Sequence, residues 1–159
     1  VNRWPADVNY SGSLRPQYYA WRASQITETV RLVREKLNKH STGTLLSTAV
    51  YGKHPGCVNS IGQDWAQWVS SNDVDYVVPM NYTDNLAAFR KMTEDQMKHA
   101  ARSKIVAGIG VTSFEATLNA VEVLQQLGAA SRLGIRGVAL YHLDHRFQQE
   151  ILPAMTITE

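Results

Sequence analysis

The chain has a single cysteine, Cys57, among its 159 residues. A lone thiol closes no internal disulfide and has no second sulfur for a metal cluster, so no cysteine framework is encoded and compartment is left open. Long apolar runs are missing too. Nothing approaches membrane-spanning length, and the opening "VNRWPADVNYSGS" has no apolar core of the signal-peptide kind, which argues against a membrane partner. Charge of one sign is also scarce. The 16 Lys and Arg residues against 14 Asp and Glu leave a formal net charge of +2, with cations interspersed among acids. No basic stripe is available to track a phosphate backbone, which argues against nucleic acid. The first residue is Val rather than Met, which reads as the start of an excised or processed piece of something longer.

What is present is mostly apolar. With 44% hydrophobic and 19% charged residues, the chain can bury one substantial core, and one domain is expected. Four β-branched runs stand out: "TLLSTAVYG" (Thr44 to Gly52), "VDYVVPMNY" (Val74 to Tyr82), "KIVAGIGV" (Lys104 to Val111) and "RGVALYHL" (Arg136 to Leu143). They are continuous rather than alternating, as strands buried on both faces should be. Helical patterns separate them. Ile26, Val30, Val33 and Leu37 repeat at helical spacing before the first run, with Ser24 or Thr27 as the expected cap. Ser60 with Gln63, Thr93 with Gln96, and Thr112 with Glu115 each form a capping-box pattern predicting a helix start. In the first of these helices Ile61, Trp65, Trp68 and Val69 make one apolar stripe, which places both tryptophans in the core. Gly134 is the expected left-handed stop of the third, and a last short helix is predicted over Arg146 to Leu152.

Strands alternating with helices predict an α/β fold with parallel pairing through right-handed crossovers. Two architectures fit four such units. One is half of a (β/α)₈ TIM-type barrel, and the other is a small open flavodoxin-like sheet. In both, ligands meet the carboxyl ends of the strands. The polar groups there are Tyr51, Lys53 and His54 after the first run, Asn81, Tyr82 and Asp84 after the second, Gly108 and Gly110 in the third, and Tyr141, His142 and Asp144 after the fourth.

Several segments together carry a family resemblance: "RWP" near the start, "WRASQITETVRLV", "GQDWAQWV" followed by "DVDYVVPMNYT", and "LGIRGVALYHL". In this order and spacing, from Arg3 to about Leu143, the chain resembles the bacterial glycoside hydrolases termed glycosyl-hydrolase-like family 10. The resemblance implies the C-terminal half of a (β/α)₈ barrel, with the four runs as barrel strands five to eight. Residues 1–159 would form a single partial domain, and residues 1–23 the long loop after a missing fourth strand. In the family that strand ends in an aspartate, two variable positions and Arg-Tyr-Pro. Arg3, Trp4 and Pro5 occupy the last three places here, with Trp replacing Tyr, and the aspartate would fall just before Val1. The resemblance also implies export in bacteria, whether periplasmic, cell-surface or secreted.

Glycoside hydrolysis uses two carboxylates, about 5–5.5 Å apart for retention or about 6.5–9.5 Å for inversion. Asp84 and Asp144 follow strand ends and are the catalytic candidates, although strands six and eight are not adjacent in a barrel. Asp84 is also placed to cap a helix beginning near Asn85, and that role ranks first. Glu115 has a capping role that needs no catalysis. Asp64, beside Trp65, reads as a solvent-facing or loop-anchoring residue. With no convincing pair, the chain alone is expected to be inactive. Sugar recognition fits the residues better, because pyranose faces stack on rings while their hydroxyls need planar partners. Arg3, Trp4, Tyr51, Asn81, Tyr82, Tyr141 and His142 are the substrate-binding candidates. Trp4 and Trp21 lie in loop-like sequence, as sugar platforms or as packing under the loop.

Weaker patterns point elsewhere. "GIGVTS" offers an anion cradle but lacks the full dinucleotide spacing, and such glycines more often serve backbone packing, so no cofactor is expected. "HLDH" gathers His142, Asp144 and His145 without a distant partner, and no metal is assigned. Cys57 in "HPGCVN" has only His54 nearby, and a thiol nucleophile ranks low. The expected activity is O-glycosyl bond hydrolysis by a parent protein on an oligosaccharide or polysaccharide. The alternative is a non-catalytic glycan-binding or structural half-barrel. The expected protein partner is the missing N-terminal half or a second copy paired through exposed edges.

Overall fold

The computed structural model describes residues 12–41 and 43–155. Helix α1 (Arg15–His40) comes first, with a proline in its opening turn. First-turn amides have no intrahelical acceptor, so a proline there costs nothing and presets the backbone. Residues 15–23, expected within a long loop, are therefore helical, and Trp21 and Arg22 belong to α1. The expected caps Ser24 and Thr27 lie inside it. Ser24 Oγ donates to the Trp21 carbonyl at 2.7 Å, and Thr27 Oγ1 accepts the Trp68 indole N–H at 2.8 Å.

There follow β1 (Ser47–Tyr51), α2 (Gly56–Ile61), α3 (Trp65–Ser70), β2 (Tyr76–Met80), α4 (Leu86–Gln96), a 3₁₀ turn (Arg102–Lys104), β3 (Val106–Gly110), α5 (Ala120–Leu133) and β4 (Gly137–Tyr141). A π turn (Phe147–Ile151) then runs into α6 (Leu152–Met155). All four expected strands form. They make one all-parallel sheet in the order β1-β2-β3-β4. The chain is thus an α/β protein whose strand order is that of adjacent barrel strands, and the sheet is compatible both with half a (β/α)₈ barrel and with an open sheet.

Sequential order with right-handed crossovers sends the connecting helices to one face. The cores agree with this. Val50 and Val77 pack with Trp65, Trp68 and Val69, and Ala107 and Ile109 pack with Phe89, Val123 and Phe147. On the opposite face the register aligns Tyr51, Met80, Gly108 and Ala139 in one row, and pairs Gly110 with Tyr141 in the next. Among the described residues no helix covers that face at the rings of Tyr51 and Tyr141, which are 59% and 49% exposed.

The helix starts differ from the expected ones. Ser60 falls inside α2, which Gly62 closes at φ 79°, and α3 is capped by Asp64, whose carboxylate accepts the Gln67 N–H. Thr93 and Gln96 sit at the end of α4, which is capped by Asn85 and not by Asp84. Helix α5 begins with a capping box from Asn119 and Glu122, not from Thr112 and Glu115, and Gly134 ends it in the left-handed conformation as expected. Each mistaken pair has the right spacing. A box needs an extended N-cap backbone as well, and Asn85 and Asn119 have it.

Candidate functional site

Two cavities open at the carboxyl ends of the strands. The larger, about 860 Å³, is lined by Tyr51, Lys53, Met80, Tyr82, Met92 and Glu115 among others. The smaller, about 510 Å³, includes Tyr82, Phe114, Glu115, Tyr141 and His142. Both volumes suit a small ligand. Met80, Tyr82 and Glu115 line both, so they form the wall between the two.

The backbone and the neighbouring strands position the rings. Tyr51 ends β1, where its N–H donates to Gln63 Oε1 at 2.8 Å and its carbonyl accepts the Trp65 indole at 3.1 Å. The ring of Tyr82 lies over Gly110, where an added Cβ would stand 2.8 Å from the ring. Tyr141, paired with Gly110 across the ladder, stacks on Tyr82 with centroids 5.4 Å apart and planes 15° from parallel. Burial, the Tyr141 hydroxyl and the Glu115 carboxylate together push the Tyr82 phenol above its ordinary pKa. It remains a neutral donor near neutrality. His142 Nδ1 lies 3.2 Å from the Thr112 carbonyl, which can only accept, so the shared proton is on Nδ1.

The expected substrate-binding residues divide. Tyr51, Tyr82, Tyr141 and His142 line the cavities. Asn81 does not, and its assignment is corrected. It is fully buried, its Nδ2 donates to Thr93 Oγ1 at 3.2 Å and Gln96 Oε1 at 3.1 Å, and its Oδ1 accepts from Gln96 Nε2 at 2.6 Å. Its side chain points to α4 because adjacent strand residues alternate faces. Arg3 and Trp4 lie outside the described residues.

The catalytic candidates fare worse. Asp84 is exposed on the turn between β2 and α4 and lines neither cavity. Asp144 also lines neither, and its Oδ1 accepts the Phe147 N–H at 2.7 Å as the cap of the final turn. That hydrogen bond, ahead of the nearby His142 and Arg146 charges, holds Asp144 below the usual carboxylate range. A carboxylate so fixed is a poor general acid. His54 turns from the cavities toward Asp64, Trp65 and His99. The Cys57 thiol donates to the Gln63 carbonyl at 3.1 Å, and burial raises its pKa, which disfavours a nucleophile. The "GIGVTS" amides do not open a helix, since α5 starts only at Ala120. Among the described residues no three potential ligands gather around a metal position, and no helix is long and apolar enough to cross a membrane.

Glu115, Phe114 and Met80 are among the site residues that the sequence reading passed over. Glu115 was absorbed by the false capping box. The signal that frees it is the second box four residues beyond it, Asn119 with Glu122, which starts α5 without it. No family model matches the chain, and no curated protein matches it significantly.

Proposed function

We propose that the chain is a carbohydrate-recognising half of a (β/α)₈ glycoside hydrolase-like domain, of the kind its resemblance to glycosyl-hydrolase-like family 10 implies. One observation carries the reading: a stacked tyrosine pair, Tyr82 on Tyr141, stands at adjoining cavities at the carboxyl ends of parallel strands. Stacked rings offer apolar faces to a pyranose, while the phenols of Tyr51 and Tyr82 and the ring of His142 supply hydrogen bonds to its hydroxyls. The ligand class is an oligosaccharide or polysaccharide. The sheet face and edges left open would be completed by an N-terminal half-barrel or a second copy, in an exported bacterial setting, and the chain alone would not turn over substrate.

A second reading, a glycan binder without catalysis, is favoured by the positions of Asp84 and Asp144 outside both cavities. Titration calorimetry of labelled cello-, xylo- and chito-oligosaccharides into the full-length protein, beside turnover assays, tests both. The expected result is binding to at least one series, weakened about five- to tenfold by Tyr141→Ala. Binding to none would end the carbohydrate reading. Binding without turnover would select the binder.

A further inference from the structure

We propose that Glu115 is the catalytic carboxylate this chain contributes, and that a glycan lies across both cavities with its scissile bond beside Glu115. The inference rests on the carbohydrate reading and goes past it by assigning the acid.

Among the described residues two carboxylates line the cavities, Asp95 and Glu115. Asp95 is held by Lys91 at 3.3 Å and by Lys98 at 2.5 Å, and those lysines keep it ionised. Glu115 has no ion pair or side-chain hydrogen bond among the described residues; its contact with Ser113 is made through its backbone N–H. Of the two, Glu115 is the one whose carboxylate has no side-chain hydrogen bond or ion pair among the described residues.

Glu115 is on the wall common to both cavities, with Met80 and Tyr82. A ligand confined to one cavity would meet it at an end, whereas a chain of sugars crossing the wall would present a glycosidic oxygen to it.

The loop that carries Glu115 is tied together by its own hydrogen bonds. Residues 111–118 fold back on themselves through Leu118 N–H to the Val111 carbonyl at 2.9 Å and Ser113 N–H to the Ala116 carbonyl at 2.8 Å. Ser113 Oγ accepts the backbone N–H of Glu115 at 3.2 Å and of Ala116 at 3.1 Å. Ala116 and Leu118 anchor the loop in the core, at 5% and 0% exposure, while the ring of Phe114 stands entirely in solvent beside the smaller cavity. An anchored base presenting a carboxylate and an aromatic ring at its tip is preorganised for a sugar.

The chemistry balances with water as the only co-reactant. In the proposed step a proton passes from the Glu115 carboxyl to the glycosidic oxygen as the C1–O bond breaks, and that bond's electron pair stays on the departing sugar as a hydroxyl. Water then adds to C1, and its surplus proton returns to the Glu115 carboxylate. One glycosidic bond and one water become two hydroxyls, with the carboxyl regenerated.

The test uses the full-length protein as wild type, Glu115→Gln and Asp144→Asn, with the same three oligosaccharide series, calorimetry, turnover and thermal melting. Glu115→Gln is expected to melt as wild type and to bind within about threefold, because the amide keeps the shape. Its turnover should fall by about 10²–10⁴, and Asp144→Asn should keep most of its turnover per folded molecule. Turnover within about threefold of wild type in Glu115→Gln would overturn the assignment, as would binding and turnover lost in equal measure. If the wild type binds but turns over nothing, Glu115 is not catalytic and the binder reading stands. A wild type that binds no sugar removes the carbohydrate reading itself.

Discussion

Asn81 brings two donors and an acceptor into a fully buried position at the end of β2, and all are used by Thr93 and Gln96 of α4. The Gln96 Nε2 also reaches the Gly52 carbonyl at 3.2 Å, so one amide pair ties the ends of β1 and β2 to the helix behind them. Gly52 leaves room for it, since a Cβ there would stand 2.5 Å from Gln96 Nε2 and 2.7 Å from Asn81 Oδ1. The clip supports the site from the side opposite its ligand face. Asn81→Ala should therefore lower stability by about 1–3 kcal/mol, because it strands buried polar partners. Urea denaturation measures this, and a change under about 0.5 kcal/mol, the range of an inert surface substitution, would mean that the clip contributes nothing.

At the scale of elements, the amino end of the sheet is held by Asp75. Its Oδ2 accepts the Leu46 N–H at 2.6 Å and the Arg34 guanidinium at 2.5 Å, and its own N–H donates to the Leu46 carbonyl at 2.7 Å. Helix α1 is thereby pinned to the entries of β1 and β2. Burial alone would raise the Asp75 pKa, but the hydrogen bonds from Arg34 and Leu46 outweigh it and hold the group below its ordinary value. The folded pKa is thus below the unfolded one. The stabilisation is complete above the unfolded value of about 3.9 and is lost as pH falls through the folded value. Asp75→Asn is expected to cost about 1–2 kcal/mol at neutral pH, with the gap to wild type closing in acid. Melts across an acid series check this, and a gap constant with pH would assign the loss to packing.

The strands were readable because each is a continuous apolar run, and α1 because Ile26, Val30, Val33 and Leu37 repeat at helical spacing, whereas the single stripe from Ile61 to Val69 is divided between α2 and α3. Helix starts were not, because S/T-x-x-E/Q spacing recurs by chance and only the backbone decides which copy caps. Asn119 stands extended at ψ 174° and caps α5. The Thr112–Glu115 pair instead lies in the loop before it, where Thr112 bridges Thr117. That misassignment is what hid Glu115.

For the whole molecule, among the described residues the connecting helices pack on one face of the sheet, and on the other the rings of Tyr51 and Tyr141 are left exposed. Strands β1 and β4 are its edges, each paired on one side only among the described residues. Unpaired parallel edges beside exposed rings favour association. The chain expressed by itself is expected to self-associate on concentration, with mass by light scattering rising above that of 159 residues. A constant monomer mass up to high concentration would show that the edges are protected.

The sequence by itself determined the four strands and their alternation with helices, the parallel pairing that follows, and the end of the sheet where polar groups gather. Hydrophobic runs and helical periods are local properties, so they survive without a tertiary context. Only the tertiary structure decided which side of the sheet each strand-end residue faces. Asn81 and Tyr82 are neighbours, yet one is sealed against α4 and the other forms the wall of the site. A strand that is apolar on both faces carries no alternation to mark its inner side, and a loop carboxylate such as Glu115 is brought to the site only when the helix after it begins late.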